Sequence, residues 1–342
     1  ALFFFAACST YLTLLLLAIV LPGILPAAWF ERVQAIGMPA DLSVADPVLG
    51  YRFRPHYRGE FEGKQHERVA LSTNAAGWRD EEFGPPGVGR PRLMVLGDSI
   101  TMGVGVPAEE RFSERLEVLR PGLVADNCAA SGYELNQLLE LSREMLPRLR
   151  PQVVLYAVCL NDIRTADIGG LQDIEQRNRQ RSGRALLELR PLGRFIDNLR
   201  LRREAGRPSR TPMRPAEAGA MRRWEDPAER AHFQARLTEL RGLCLDAGAR
   251  LAVVVFPYTF QFEALPGSDL LRPQQYLGAM LGALRLPWFD LLPTMAAASR
   301  AVYLPGDNCH PNSLGNGLAA EAIATWLSAE GLLTANSDKP SH

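Results

Sequence analysis

The fold of this chain is constrained most by an alternation of short apolar runs with longer amphipathic runs, which begins near residue 91 and continues to about residue 330. The pattern predicts strands over 92–96, 123–127, 153–158, 251–256 and 288–290, and helices over 109–119, 134–146, 227–247, 273–284 and 314–327. Strands that alternate with helices form a parallel sheet with helices on both faces. We therefore predict one α/β domain over residues 91–335.

Polar motifs follow three of these strands and precede the last helix. Gly97-Asp98-Ser99 follows the first strand, Gly132 lies after the second, Asn161 lies after the third, and Asp307-Asn308-Cys309-His310 comes before the final helix. Ligands of open α/β sheets bind beyond the carboxyl ends of the strands, so these motifs are candidates for one site. Taken singly, each motif is also compatible with an ordinary turn or a helix cap.

The residue types fit acyl transfer by a serine nucleophile. A neutral imidazole such as His310 can take the proton of the Ser99 hydroxyl, and the Asp307 carboxylate can hold the imidazole in the correct tautomer. Negative charge develops on the substrate carbonyl oxygen, where backbone N–H groups and a side-chain amide can meet it. We predict that Ser99, Gly132 and Asn161 form this oxyanion hole.

The order and spacing of these residues resemble the SGNH hydrolase family, also called GDSL esterases and lipases. The match consists of Ser99, Gly132, Asn161, and Asp307 with His310, and the resemblance covers about residues 91–330. It implies a flavodoxin-like three-layer sandwich with a parallel five-stranded sheet. It also implies an ester-cleaving or acyl-transferring activity that uses neither a metal nor a nucleotide.

Two cysteines lie within these motifs. Cys159 occupies the position of a family glycine, two residues before Asn161, where a thiol either crowds the oxyanion region or only fills space. Cys309 lies between Asp307 and His310, and we expect it to be a small packing residue and not a nucleophile.

The N-terminal segment is almost wholly apolar and has no charged residue from Leu2 to Leu25. About 20 apolar residues are needed for a helix to cross a membrane, so we predict a transmembrane anchor over residues 1–30 that contacts the membrane through residues 1–25. A signal peptide would have a shorter apolar region. A lipoprotein processing site at Cys8 is another interpretation of this segment. The apolar stretch continues well beyond Cys8, however, and such a site does not predict that. By family resemblance, we expect a single-pass protein of a bacterial inner membrane with its globular domain on the periplasmic side.

Two regions do not follow the strand–helix pattern. Residues 31–90 are predicted to be an accessory region with short exposed strands, as in Tyr51-Arg52-Phe53-Arg54, followed by a Pro- and Gly-rich linker. Residues 164–223 hold fifteen arginines against seven acidic residues. This stretch is either a solvated insertion or a basic patch near the active site and the membrane.

Composition excludes several other classes of function. The 38 basic and 38 acidic residues balance, which argues against nucleic acid as the main partner. The five cysteines contain no CxxC pair, so we predict no metal site. A loose GxGxxA match at Gly103–Ala108 begins too far beyond the strand and contains Pro107, so no nucleotide cofactor is expected.

Three functions remain. The leading hypothesis is a serine ester hydrolase that acts on O-acyl groups of envelope glycans or on lipid esters. An O-acyltransferase would use the same serine with a different acceptor. The third hypothesis is a non-catalytic scaffold subunit, which would have a partner in a membrane protein complex.

Overall fold

The computed structural model describes residues 13, 20, 38, 39, 41–62, 68–85, 90–163, 213, 215–298 and 300–333. In chain order the strands are β1 Ser43–Asp46, β2 Gly50–Phe53, β3 Arg58–Glu62, β4 Arg68–Ser72, β5 Arg92–Gly97, β6 Val124–Asn127, β7 Val153–Cys159, β8 Arg250–Phe256 and β9 Trp288–Asp290. The α-helices are α1 Ser99–Met102, α2 Phe112–Leu119, α3 Leu135–Leu149, α4 Pro215–Glu225, α5 Pro227–Asp246, α6 Arg272–Ala283, α7 Leu292–Ala297 and α8 Ser313–Ala329.

Strands β5 to β9 form one parallel five-stranded sheet in the order β6-β5-β7-β8-β9. Numbered from the first strand of the sheet, this is the order 2-1-3-4-5 of flavodoxin-like folds. The prediction of an α/β domain with a parallel five-stranded sheet is therefore confirmed. Because the strand order reverses between β5 and its two neighbours, the loops after β5, β6 and β7 meet at one edge of the sheet.

The central strands are buried on both faces. Every residue of β5 and β7 is buried, and side chains of a strand alternate between the two faces, so both faces must be covered. Helices cover them in two packed pairs, α2 with α8 and α3 with α5. The fully apolar sequence of β7 is thus explained by its place in the middle of the sheet.

Helix boundaries follow the sequence pattern, with one difference. The stretch predicted as a single helix over 109–119 is a short 3₁₀ turn, Ala108–Glu110, followed by α2, which begins at Phe112. Arg111 between them has an extended backbone (φ −66°, ψ 154°), which interrupts the helix. Its guanidinium is buried against the main chain of the accessory region, and this long-range contact overrides the local helical preference.

The accessory region consists of two antiparallel hairpins, β1–β2 and β3–β4. The prediction of exposed strands is wrong for β2, since Tyr51 and Phe53 are both buried. Together with Trp78 they belong to the same hydrophobic core as the strands of the large sheet. The alternation in β2 therefore reflects burial against the α/β domain on one side, while Gly50 and Arg52 are partly exposed on the other.

Two predicted regions lie largely outside the described residues. Of the predicted anchor over residues 1–30, the structure describes only Thr13 and Val20, which are both helical. Of the basic stretch over residues 164–223, it describes residues 213 and 215–223. Among the described residues, no helix combines the length and the apolar character that crossing a membrane requires. Helix α4 overlaps the C-terminal end of the predicted insertion, and its buried Trp224 donates a hydrogen bond to the carbonyl of Leu160.

Candidate active site

Ser99 is the first residue of helix α1, directly beyond the carboxyl end of β5. Asp98 caps this helix by accepting a hydrogen bond from the backbone N–H of Ile100 at 2.9 Å. Gly97 is required before it, because a β-carbon there would lie 2.1 Å from the Thr101 hydroxyl oxygen. The tight strand-to-helix turn thus presents the Ser99 hydroxyl at the edge of the sheet.

His310 and Asp307 meet this hydroxyl from the loop before α8. The Nε2 atom of His310 lies 2.9 Å from Ser99 Oγ, although the two residues are 211 positions apart. On the other side of the ring, Nδ1 lies 3.1 Å from Asp307 Oδ1. The same carboxylate oxygen accepts hydrogen bonds from the backbone N–H groups of Cys309 and His310. The structure therefore brings together Ser99, His310 and Asp307 in the geometry that proton transfer needs.

The charges around the site shift the pKa values of its groups. Burial by itself lowers the pKa of His310, but the neighbouring Cys309 and Asp307 raise it, and the net pKa lies well above the ordinary histidine value. Burial raises the pKa of Asp98, which lies 3.3 Å from the Ser99 hydroxyl. A carboxylate held beside the imidazole thus makes His310 a stronger base than an isolated histidine.

Cys309 is more than the small packing residue that the sequence suggests. Its sulfur lies 3.2 Å from His310 Nδ1 and 3.3 Å from Asp307 Oδ1, so the thiol shares both partners of the imidazole–carboxylate pair. Asp307, Cys309 and His310 offer three potential metal-ligand atoms within 4.8 Å of one another. Because these same groups already bond to one another and to Ser99, their arrangement is accounted for without an ion.

The other two predicted residues lie in the loops that follow the two strands next to β5. Gly132 follows β6 and Asn161 follows β7, and β6 and β7 are the two neighbours of β5 in the sheet. Both residues are exposed to solvent. Gly132 has a φ of +85°, a left-handed conformation that favours glycine at this position.

The turn that carries Asn161 is held by a buried acid that sequence reasoning did not single out. Asp162 accepts hydrogen bonds from the Tyr156 hydroxyl at 2.8 Å and from the backbone N–H of Cys159 at 3.1 Å. Burial raises its pKa well above the ordinary value. Cys159 is fully buried at the end of β7, beside this turn, and burial raises the pKa of its thiol well above the ordinary value. The thiol thus occupies space in the core next to the turn.

The accessory region also supports the loop that follows Ser99. The buried guanidinium of Arg79 donates hydrogen bonds to the carbonyls of Met102 and Gly103, at 3.0 and 2.7 Å, and to that of Val106 at 2.7 Å. Burial lowers the pKa of Arg79 to about 9. No local motif in the sequence predicts these contacts, since they join parts of the chain that are more than 20 residues apart.

Comparison with known proteins gives structural likeness only. No model of a protein family matches the chain, and no curated protein matches its sequence. Solved structures do resemble it. TesA is 14% identical, with 71% of this chain and 99% of that chain covered and a TM-score of 0.44. The psychrotrophic esterase EstA from Pseudoalteromonas sp. is 14% identical, with coverage of 70% and 97% and a TM-score of 0.40.

A member of the lipolytic protein G-D-S-L family from Veillonella parvula gives the same picture. It is 14% identical, covers 70% of this chain and 96% of its own, and has a TM-score of 0.40. SGNH and GDSL-type hydrolases are thus among the structures that this chain resembles. At such low identity and TM-scores, the function has to be argued from the geometry of the site.

Proposed function

We propose that this protein is a serine ester hydrolase in which Ser99 is the nucleophile, His310 the general base and Asp307 the residue that orients the base. The observation that carries the proposal is the continuous chain of contacts from Ser99 Oγ to His310 Nε2 at 2.9 Å and from His310 Nδ1 to Asp307 Oδ1 at 3.1 Å. The three groups come from two distant loops, so their convergence is a property of the fold and not of local sequence.

In this mechanism Ser99 attacks the carbonyl carbon of an ester while His310 takes the hydroxyl proton. Asp307 stabilises the imidazolium that forms, and the N–H groups of Ser99 and Gly132 with the amide of Asn161 stabilise the negative charge on the carbonyl oxygen. His310 then gives its proton to the leaving alcohol, and an acyl group remains on Ser99. Water, activated by the same histidine, releases the acid and restores the hydroxyl.

The proposed substrates are O-acyl groups of envelope glycans or lipid esters. The support is the apolar segment over residues 1–25, which would hold the domain beside a membrane. We further propose, from the family resemblance alone, that this is a bacterial inner membrane with the domain on its periplasmic side. Transfer of the acyl group to another acceptor would use the same first half of the reaction.

Covalent labelling tests the proposal directly. A fluorophosphonate probe should label the protein at Ser99, and Ser99→Ala should lose both labelling and turnover of a short-chain p-nitrophenyl ester, by about 10⁶-fold, since the triad acts as a unit. Ser113→Ala is a matched control, because Ser113 is a buried serine that binds the Asn127 amide away from His310. Labelling that survives in Ser99→Ala would show that another residue is the nucleophile. A folded parent protein that does not label would favour a non-catalytic scaffold.

A further inference from the structure

The loop that carries Gly132 is a tight turn with two possible orientations of its central peptide. The N–H of Tyr133 donates to the carbonyl of Ala130 at 3.0 Å, and Gly132 at the third position has a φ of +85°. These are features of a type II turn, which differs from a type I turn mainly by a flip of the peptide between its two central residues. Glycine tolerates both forms, so the residues of the turn do not by themselves fix which way this peptide faces.

The accessory region supplies a group that does fix it. The phenol of Tyr51, on strand β2, donates a hydrogen bond to the carbonyl oxygen of Ser131 at 2.5 Å. A β-carbon at position 132 would lie 3.1 Å from the same phenol oxygen, so Tyr51 lies directly against the central peptide of the turn.

That contact determines the direction of the Gly132 N–H. The carbonyl of Ser131 and the N–H of Gly132 belong to one planar trans peptide, in which the two groups point in opposite directions. With Tyr51 holding the carbonyl, the N–H must point away from the accessory region. A hydrogen bond to the carbonyl also polarises the peptide and makes its N–H a better donor.

Tyr51 is itself held rigidly. It is 4% exposed, its ring packs edge-on against Tyr133 with centroids 5.2 Å apart, and its own carbonyl accepts a hydrogen bond from the Tyr133 hydroxyl at 2.7 Å. Tyr133 in turn packs edge-on against Trp78. The phenol of Tyr51 therefore has a fixed position relative to the turn.

We infer that Tyr51 is a positioning residue for the oxyanion hole, which holds the Ser131–Gly132 peptide in the orientation that aims the Gly132 N–H at the developing oxyanion. The inference rests on the proposed serine hydrolase function. It also makes the accessory region a working part of the site and not a separate module.

The test compares two tyrosine-to-phenylalanine variants of the full chain. Tyr51→Phe keeps the ring but frees the peptide, so kcat for a p-nitrophenyl ester should fall about tenfold with KM nearly unchanged, less than the loss of a whole oxyanion donor. Tyr57→Phe removes a phenol hydrogen bond at another place in the accessory region, where the Tyr57 hydroxyl donates to the Asp41 carboxylate at 2.9 Å. Its kcat should stay within about twofold of the parent, because this bond does not involve the Ser131–Gly132 peptide.

A second measurement separates positioning from general loosening of the fold. A boronic acid that forms a tetrahedral adduct on Ser99 should bind about tenfold more weakly to Tyr51→Phe than to Tyr57→Phe, because the adduct uses the oxyanion hole. Equal kcat and equal boronate affinity in the two variants would overturn the inference while the parent still labels with fluorophosphonate. A parent without Ser99-dependent labelling would overturn the proposed function and the inference with it.

Discussion

The two sides of the candidate site are held together in different ways. On the base side, Asp307 accepts hydrogen bonds from the backbone of Cys309 and His310 and faces the His310 ring, and all of these contacts span three residues or fewer. On the oxyanion side, the Ser131–Gly132 peptide is held by Tyr51, which is 80 residues away from Ser131 along the chain.

This difference predicts how each side responds to damage. A contact between near neighbours in sequence is reformed whenever the local loop folds, because little chain entropy is lost in closing it. A contact across 80 residues exists only when the accessory hairpins dock on the α/β domain. We expect changes on the base side to affect the chemistry itself, and changes in the oxyanion supports to affect alignment.

The largest effect should come from the base side. Asp307→Asn keeps a carbonyl oxygen for the backbone N–H groups but removes the charge beside His310, and kcat should fall by about 10⁴-fold because the wrong tautomer is favoured. His310 can accept a proton only when it is neutral, so activity in the parent should be lost as pH falls through its raised pKa. Removing Asp307 takes away one cause of that raised pKa, so the pH profile of residual kcat/KM should move to lower pH.

Asp290→Asn provides the control for this variant. Asp290 lies at the end of β9, where its carboxylate accepts a hydrogen bond from the backbone N–H of Leu292 at 2.9 Å. The replacement changes a partly buried carboxylate that accepts from the backbone and forms no hydrogen bond with His310. Its kcat and pH profile should match those of the parent, and a shift as large as that of Asp307→Asn would mean that the effect is not specific to the His310 pair.

An intermediate effect should come from Asn161. Loss of its amide in Asn161→Ala should lower kcat by about 100- to 1000-fold with little change in KM, because the bond to the oxyanion strengthens in the transition state. Asn136→Ala is the comparison, since Asn136 on α3 pairs with His232 on the neighbouring helix α5. Steady-state kinetics of both variants would show whether the oxyanion side contributes as much as the proposal requires. Equal kcat values in the two variants would remove Asn161 from the site.

The smallest effect on activity should come from Cys159→Gly, which restores the family residue. The Cys159 thiol is buried in the core at the end of β7, so we expect it to fill space there and not to crowd the oxyanion. We expect kcat within about threefold of the parent and a loss of about 1–3 kcal/mol in unfolding free energy from the cavity and the added chain freedom. Denaturant titration measures the loss, with Cys128→Gly as a second buried cysteine at a strand end. A rise in kcat beyond threefold would show that the thiol crowds the site.

The sheet and the serine could be predicted from the sequence because their signals are local. The fully apolar run of β7 indicates a buried strand, and the Gly97-Asp98-Ser99 segment indicates a tight turn before a helix. The pairing of Asp307 with His310 is local as well, since both lie in one loop. Only the resemblance to a known family linked Ser99 to His310 in the sequence, because no short segment shows that these two residues face each other.

The supports of the site could not be predicted, for the same physical reason. The sequence predicts an exposed strand around Tyr51 because Arg52 and Arg54 are charged, whereas the ring that packs against Tyr51 belongs to Tyr133, far along the chain. Asp162 directly follows the predicted Asn161, but its bond to Tyr156 depends on how β7 enters its turn. A polar side chain that is buried against a distant part of the main chain does not produce a periodic pattern in the sequence, so its position cannot be predicted from such patterns.

The hydrogen bonds of Arg79 affect how the protein unfolds. Its guanidinium donates hydrogen bonds to four main-chain carbonyls, those of Ala70 and of the loop formed by Met102, Gly103 and Val106. Withdrawing the arginine would remove a donor from each of these carbonyls, so we expect detachment of the hairpins to destabilise that loop. Amide protons in β4 and in the segment after Ser99 should therefore exchange with solvent in a single cooperative opening, and a chain that starts at residue 91 would lack the group that closes this part of its own core.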